Sequence, residues 1–132
     1  MKRFRDLAIM LLLLILGCAA TPIKSIEFSD LEDLKGKWEG TRYGTGYTGS
    51  TELQITNATL PISGVVTFYG TSAGTFSYPL KGELKDGQLF LTAPDKNYWL
   101  KLSLRKGDGK MKLVGNYQWG NFGGGAVSLD KK

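Results

Sequence analysis

With no histidine and one cysteine in 132 residues, the chain lacks the imidazole that Ser-His-Asp and Cys-His nucleophile systems require and that zinc sites usually employ. Seventeen Lys and Arg against 12 Asp and Glu give a formal net charge of +5 at pH 7. So mild an excess, spread over many turns, describes a solvated face and not a nucleic-acid footprint.

The chain opens with the basic head Met1-Lys2-Arg3-Phe4-Arg5-Asp6, continues as an unbroken apolar run from Leu7 to Leu16, and then reads Gly17-Cys18-Ala19-Ala20. That order marks an export signal. As a helix, ten apolar residues rise only about 15 Å, half of a hydrocarbon core of about 30 Å, so a stable transmembrane span is not expected. Ile15-Leu16-Gly17-Cys18 resembles the lipobox of bacterial lipoproteins, in which a small residue precedes the cysteine that receives diacylglycerol before cleavage. The resemblance covers the first 18 residues. It implies that residues 1–17 are a lipoprotein signal peptide and that Cys18 carries the lipid, whose two or three acyl chains hold the protein firmly to a membrane. In lipoproteins an aspartate after the cysteine favours the inner membrane. Ala19 stands there instead, so in a source with two membranes the outer one, facing the periplasm, is expected. Ordinary signal-peptidase cleavage after Ala20 and an uncleaved anchor are the competing readings of the same residues.

Loss of residues 1–17 leaves 115 residues, one domain by length, and lowers the net charge from +5 to +3 by removing Lys2, Arg3, Arg5 and Asp6. With Cys18 acylated no thiol remains, and stability has to come from apolar burial and sheet hydrogen bonding. Residues 18–27 hold small and polar residues with Pro22 and read as a lipidated flexible tether. Ser29 with Glu32 has capping-box spacing, Leu31 and Leu34 share a face, and Gly36 suits a left-handed stop. One or two helical turns packed by Phe28, Leu31 and Leu34 are predicted.

Beyond Gly36 the apolar period changes to two and turn signals recur. Eight strands are predicted, at about Lys37–Tyr43, Thr51–Asn57, Gly64–Tyr69, Thr75–Leu84, Gln88–Thr92, Tyr98–Arg105, Met111–Trp119 and Ala126–Leu129. Tyr98, Leu100, Leu102 and Leu104 oppose Trp99, Lys101, Ser103 and Arg105, so one face is dry and the other wet. Lys85-Asp86-Gly87-Gln88 and Lys106-Gly107-Asp108-Gly109-Lys110 are tight hairpin signals. An eight-stranded antiparallel up-and-down meander with one apolar face buries that face, and removes its edges, by closing into a small barrel. Residues 28–132 are therefore read as an all-β barrel domain with a short N-terminal helix. Glycines at 40, 64, 82 and 115 fall inside strands where a closing sheet bends, and Pro79, which cannot donate, is expected at a bulge or edge.

A short helix followed by Gly36-Lys37-Trp38 opening the first barrel strand resembles the lipocalin and avidin group, the calycins. The resemblance implies that Trp38 closes one end of the barrel. The later lipocalin motifs are not found. Strand parity then sends the connections 44–50, 70–74, 93–97 and 120–125 to the end away from the helix, where they are expected to be the longer, glycine-rich loops. A ligand or partner mouth is expected there, carried by Tyr43, Tyr47, Tyr69, Trp119, Asn121 and Phe122, with Trp99 as a separate outer patch. Inward Trp38, Phe68, Phe76, Tyr78, Tyr117 and Trp119 can instead simply fill the interior at ordinary protein density.

Other constellations are weaker. Glu39 and Glu52 lie on neighbouring strands but at outward, polar positions, which argues against a carboxylate pair for catalysis. Scattered aspartates in turns lack the spaced loop of a calcium site. Gly44-Thr45-Gly46-Tyr47-Thr48-Gly49 spells G-x-G-x-x-G but runs into a strand and not a helix, so no pyrophosphate site follows. No metal, cofactor or catalytic role is expected. Three functions stay open: a binding or interaction module for an envelope protein or glycan, a calycin-type carrier of a small apolar or glycan-like ligand, and an inhibitor of an extracellular enzyme.

Overall fold

The computed structural model describes residues 22–44, 47–72, 74–93, 97–120 and 123–132. Its elements are a two-residue strand β1 (Ile23–Lys24), a 3-10 turn (Phe28–Asp30) running into a one-turn helix α1 (Leu31–Leu34), and eight long strands. These are β2 (Gly36–Gly44), β3 (Tyr47–Asn57), β4 (Ile62–Thr71), β5 (Gly74–Lys85), β6 (Gln88–Ala93), β7 (Tyr98–Gly107), β8 (Lys110–Trp119) and β9 (Gly124–Lys131). Each of the eight pairs antiparallel with the next, and β9 pairs back onto β2 from Trp38↔Lys131 to Gly44↔Gly125. The meander is thus a closed eight-stranded barrel, as its dry and wet faces require.

The inner face is built from alternate residues. Trp38, Leu53, Ile55, Ile62, Val66, Leu89, Leu91, Leu102, Leu104, Leu113 and Leu129 are all buried almost completely, and with Phe68, Leu80, Leu100, Tyr117 and Val127 they make one core. The predicted hairpins form as their sequences demand: Asp86 and Gly87 take φ of 52° and 74°, Asp108 and Gly109 51° and 71°. At Gly40 a side chain is impossible without movement, because a Cβ there would run into the backbone carbonyl of Ser128 on β9. The seam that shuts the barrel depends on that close approach. Pro79 faces Val65 of β4 beyond the last β5–β6 pair, Lys81↔Thr92, so its missing N–H falls where no described ladder needs it.

The structure departs from the sequence expectations in three places. First, residues 22–27 do not hang free. Ile23 and Lys24 pair with Arg105 and Leu104 of β7, the Ile26 N–H donates to the Gly87 carbonyl at 2.9 Å, and Ile26 enters the core. The cause is the shortness of β6: it leaves the lower part of β7 unpaired, and β1 completes the wall there. Second, the helix start is clasped by Glu27 and Asp30 rather than by Ser29 and Glu32. The Glu27 N–H donates to Asp30 Oδ2 at 2.9 Å, and the Lys24 ammonium donates to the same oxygen at 2.6 Å. Phe28 is left 73% exposed, while Leu34 is fully buried. Third, the connections 44–50 and 70–74 are mostly strand: Gly44 pairs with Tyr47 and Thr71 with Gly74. Gly49, which reads as a loop residue, lies opposite Arg42 and leaves room for its guanidinium.

One end of the barrel is capped. Trp38 donates its indole N–H to the Leu34 carbonyl at 2.9 Å, and the Lys131 ammonium lies 5.2 Å from the Trp38 ring centre. The same ammonium donates to the carbonyls of Asp33 and of Lys35, and burial pulls its pKa below the ordinary lysine value. Trp38 therefore sits where the sequence resemblance put it, closing the helix end.

Candidate functional site

At the opposite end the inward residues are aromatic. Phe68 on β4, Phe76 and Tyr78 on β5, Tyr98 on β7, and Tyr117 and Trp119 on β8 form one cluster of rings. Phe68 stacks on Trp119 at 4.9 Å between centroids, Tyr78 meets Tyr98 at 4.4 Å, and Phe76 and Tyr98 both approach Trp119 edge-on, at 5.8 and 6.1 Å. Such offset and edge-to-face pairs are the arrangements that aromatic quadrupoles prefer. Phe68 and Tyr117 are buried, whereas Phe76, Tyr78, Tyr98 and Trp119 each keep part of their surface in water.

Strand β6 stops at Ala93, opposite Tyr98, while β5 continues from Leu80 up to Gly74 with no partner on that side among the described residues. Tyr78 of β5 and Tyr98 of β7 meet beyond the last β6 pairs. Burial raises the pKa of the Tyr78 hydroxyl; its hydrogen bond with Tyr98 adds to the rise, and one from the Trp119 side chain offsets part of it. The Tyr78 phenol therefore stays protonated at neutral pH.

Behind the rings lies Arg42, 2% exposed on the inner face of β2. Its guanidinium donates to the Ser50 carbonyl at 2.5 Å, to the Tyr69 carbonyl at 2.8 Å and to Thr51 Oγ1 at 3.3 Å, and it lies 5.3 Å from the Phe68 centroid. Among the described residues its Nε finds no hydrogen-bond partner. Backbone dipoles and a ring face thus compensate a buried cation in place of a carboxylate.

The residues expected at the mouth divide. Trp119 belongs to the ring cluster. Tyr43 and Tyr69 lie near the mouth ends of β2 and β4 on the outward face, 48% and 40% exposed. Tyr69 donates to Glu52 at 3.1 Å, which raises its pKa. The backbone of Tyr47 begins β3; Cys18, Asn121 and Phe122 lie outside the described residues. Trp99 is on the outer wall as expected, its ring 6.1 Å from that of Phe90. Below it, an open groove of ≈ 590 Å³ is lined by Leu60, Pro61, Lys81, Gly82, Glu83, Phe90 and Thr92.

Glu39 and Glu52 do stand opposite each other on β2 and β3. Lys37 answers both, at 2.8 Å from Glu39 and 3.9 Å from Glu52, and Lys132 reaches Glu39 at 3.9 Å. The Lys37 contact holds the Glu39 carboxyl below its usual range. That keeps it ionised and unsuited to deliver a proton at neutral pH.

Arg42 escaped the sequence reading although parity with Trp38 and Gly40 places it on the dry face. Parity also assigns Tyr43 and Tyr69 to the wet one. No family model, no curated protein and no solved structure matches the chain.

Proposed function

We propose that the chain is an exported cell-envelope lipoprotein, cut before Cys18 and held to the membrane by lipid on that cysteine, whose barrel is a non-catalytic binding module. Its contact surface is the aromatic mouth. The observation that carries this reading is the contrast within one barrel. The aliphatic core is sealed, yet Phe76, Tyr78, Tyr98 and Trp119 stay partly exposed as one cluster of rings at the opposite end. Aromatic rings with phenol hydroxyls at their edge combine apolar contact area with hydrogen bonding, the combination that suits the faces of a glycan or an anchor side chain of a protein partner.

A calycin-type carrier needs an enclosed space of roughly 300 Å³ or more. The interior positions that would line it are taken by Phe68, Tyr117, Leu100 and their neighbours, which favours the module over the carrier. The anchor is assigned to Cys18 on the lipobox-like run Ile15-Leu16-Gly17-Cys18.

Two measurements test the reading. Metabolic labelling with an alkyne fatty acid should tag the wild-type protein, and Cys18→Ala should abolish the tag. A photo-crosslinking amino acid at position 98 or 119 should trap a defined envelope component in intact cells, whereas one at Val65 on the outer wall should not. Absence of any adduct at the mouth would remove the module reading.

A further inference from the structure

We propose that the capped end of the barrel rests directly on the bilayer that holds the lipid, with Ile23, Phe28 and Leu60 dipping into its headgroup layer. The inference deepens the anchor reading above and depends on acylation of Cys18. Three observations carry it: where the ordered chain begins, which way it points, and what the capped end exposes.

Because β1 is part of the wall, ordered structure begins at least as far back as Pro22. Only Ala19, Ala20 and Thr21 separate it from Cys18. Four Cα steps span at most about 14 Å when fully extended, and the headgroup layer itself takes about 5–8 Å on each side of a bilayer. The point where the barrel begins can consequently clear the headgroups by at most about 6–9 Å.

Direction agrees. Strand β7 runs toward the capped end, and β1 pairs with it antiparallel, Lys24 against Leu104 and Ile23 against Arg105. Pro22, the first described residue, therefore lies on the capped-end side of Ile23 and away from the mouth.

Composition agrees as well. Of the six large apolar side chains that the described residues leave exposed, three belong to this end: Phe28 at 73%, Ile23 at 59% and Leu60 at 47%. They come from three separate segments, the 3-10 turn, β1 and the β3–β4 connection. The hairpin turns of the same end expose Lys85 and Lys110 beside Asp86 and Asp108, so their charges offset one another and the apolar side chains carry the contact.

The test uses the acylated full protein in vesicles of phosphatidylcholine with phosphatidylglycerol. Phe28→Cys, Leu60→Cys and, at the mouth, Ser72→Cys are each labelled with an environment-sensitive fluorophore; Cys18 is blocked by its lipid. Positions 28 and 60 should show blue-shifted emission and quenching by lipid-borne nitroxide about twofold or more above position 72. Equal, water-like signals at all three positions on vesicle-bound, acylated protein would overturn the bilayer contact and leave the anchor standing. Probes at 28 and 60 that are shielded in cell envelopes but not in vesicles would overturn it in favour of a protein partner. A mass spectrum with no acyl group on Cys18 would overturn anchor and contact together.

Discussion

Trp38 and Trp119 both point into the barrel, one near each end, and their surroundings differ in kind. Trp38 has no exposed surface, spends its N–H on Leu34 and is covered by the Lys131 ammonium. Trp119 stacks on Phe68 yet keeps part of its surface in water. One end thus commits its aromatic to closing the core, whereas the other packs its rings against one another and leaves part of their surface accessible. Burial of rings as such therefore does not explain the mouth, because the same barrel shows what full closure looks like.

The contrast can be broken by substitution. Trp38→Ala should cost about 3–5 kcal/mol, a large fraction of the roughly 5–15 kcal/mol that holds a domain together, read as a shift of the urea midpoint followed by fluorescence of the remaining tryptophans. Gly40→Ala, which pushes a methyl group into the Ser128 carbonyl at the β2–β9 seam, should cost about 1–3 kcal/mol. Trp119→Ala should cost only about 1–2 kcal/mol while abolishing the crosslink proposed for position 98. If Trp119→Ala destabilises as much as Trp38→Ala, the division between a sealed end and a contact end fails.

A pH measurement sharpens it further. The Asp30 carboxyl is held below its ordinary range by the Lys24 ammonium and by the Glu27 N–H. Its contribution is complete above the unfolded-state value of about 4 and is lost as pH falls through the lowered folded value. Lys24 is the mirror case: its pKa is raised by Asp30, so its contribution is complete below about 10.4 and is lost as pH rises through the folded value. Hydrogen exchange should accordingly show the Ile26 amide, bonded to Gly87, losing protection below about pH 4 before the core amides of Leu100 and Leu102. Asp30→Asn should flatten that acid response and leave the mouth unchanged.

The barrel was legible because its signals are local and repeated. Period-two alternation from Trp38 onward and the two Asp-Gly turns were enough to find eight strands and their order. The parity that predicted the mouth end also sorted Phe76, Tyr78, Tyr98 and Trp119 inward. Strand ends were not legible at the mouth, since Gly49 resembles a loop residue until Arg42 is seen to need its space. Strand β1 was hidden for a different reason: Ile23-Lys24-Ser25-Ile26 is too short to show a period, and it pairs where β6, which begins at Gln88, leaves Leu104 and Arg105 of β7 without a β6 partner, a property of another segment.

That β1 is borrowed from the chain ahead of the barrel has a mechanical meaning. Any tension applied through residues preceding Pro22 reaches β1 first, and it is resisted there by a two-residue ladder, the Ile26 amide bond and the Lys24–Asp30 ion pair. The closed wall of β2 to β9 lies behind that short clasp. A steady pull would therefore peel off the clasp and lengthen the leash by several residues while the aromatic mouth kept its shape.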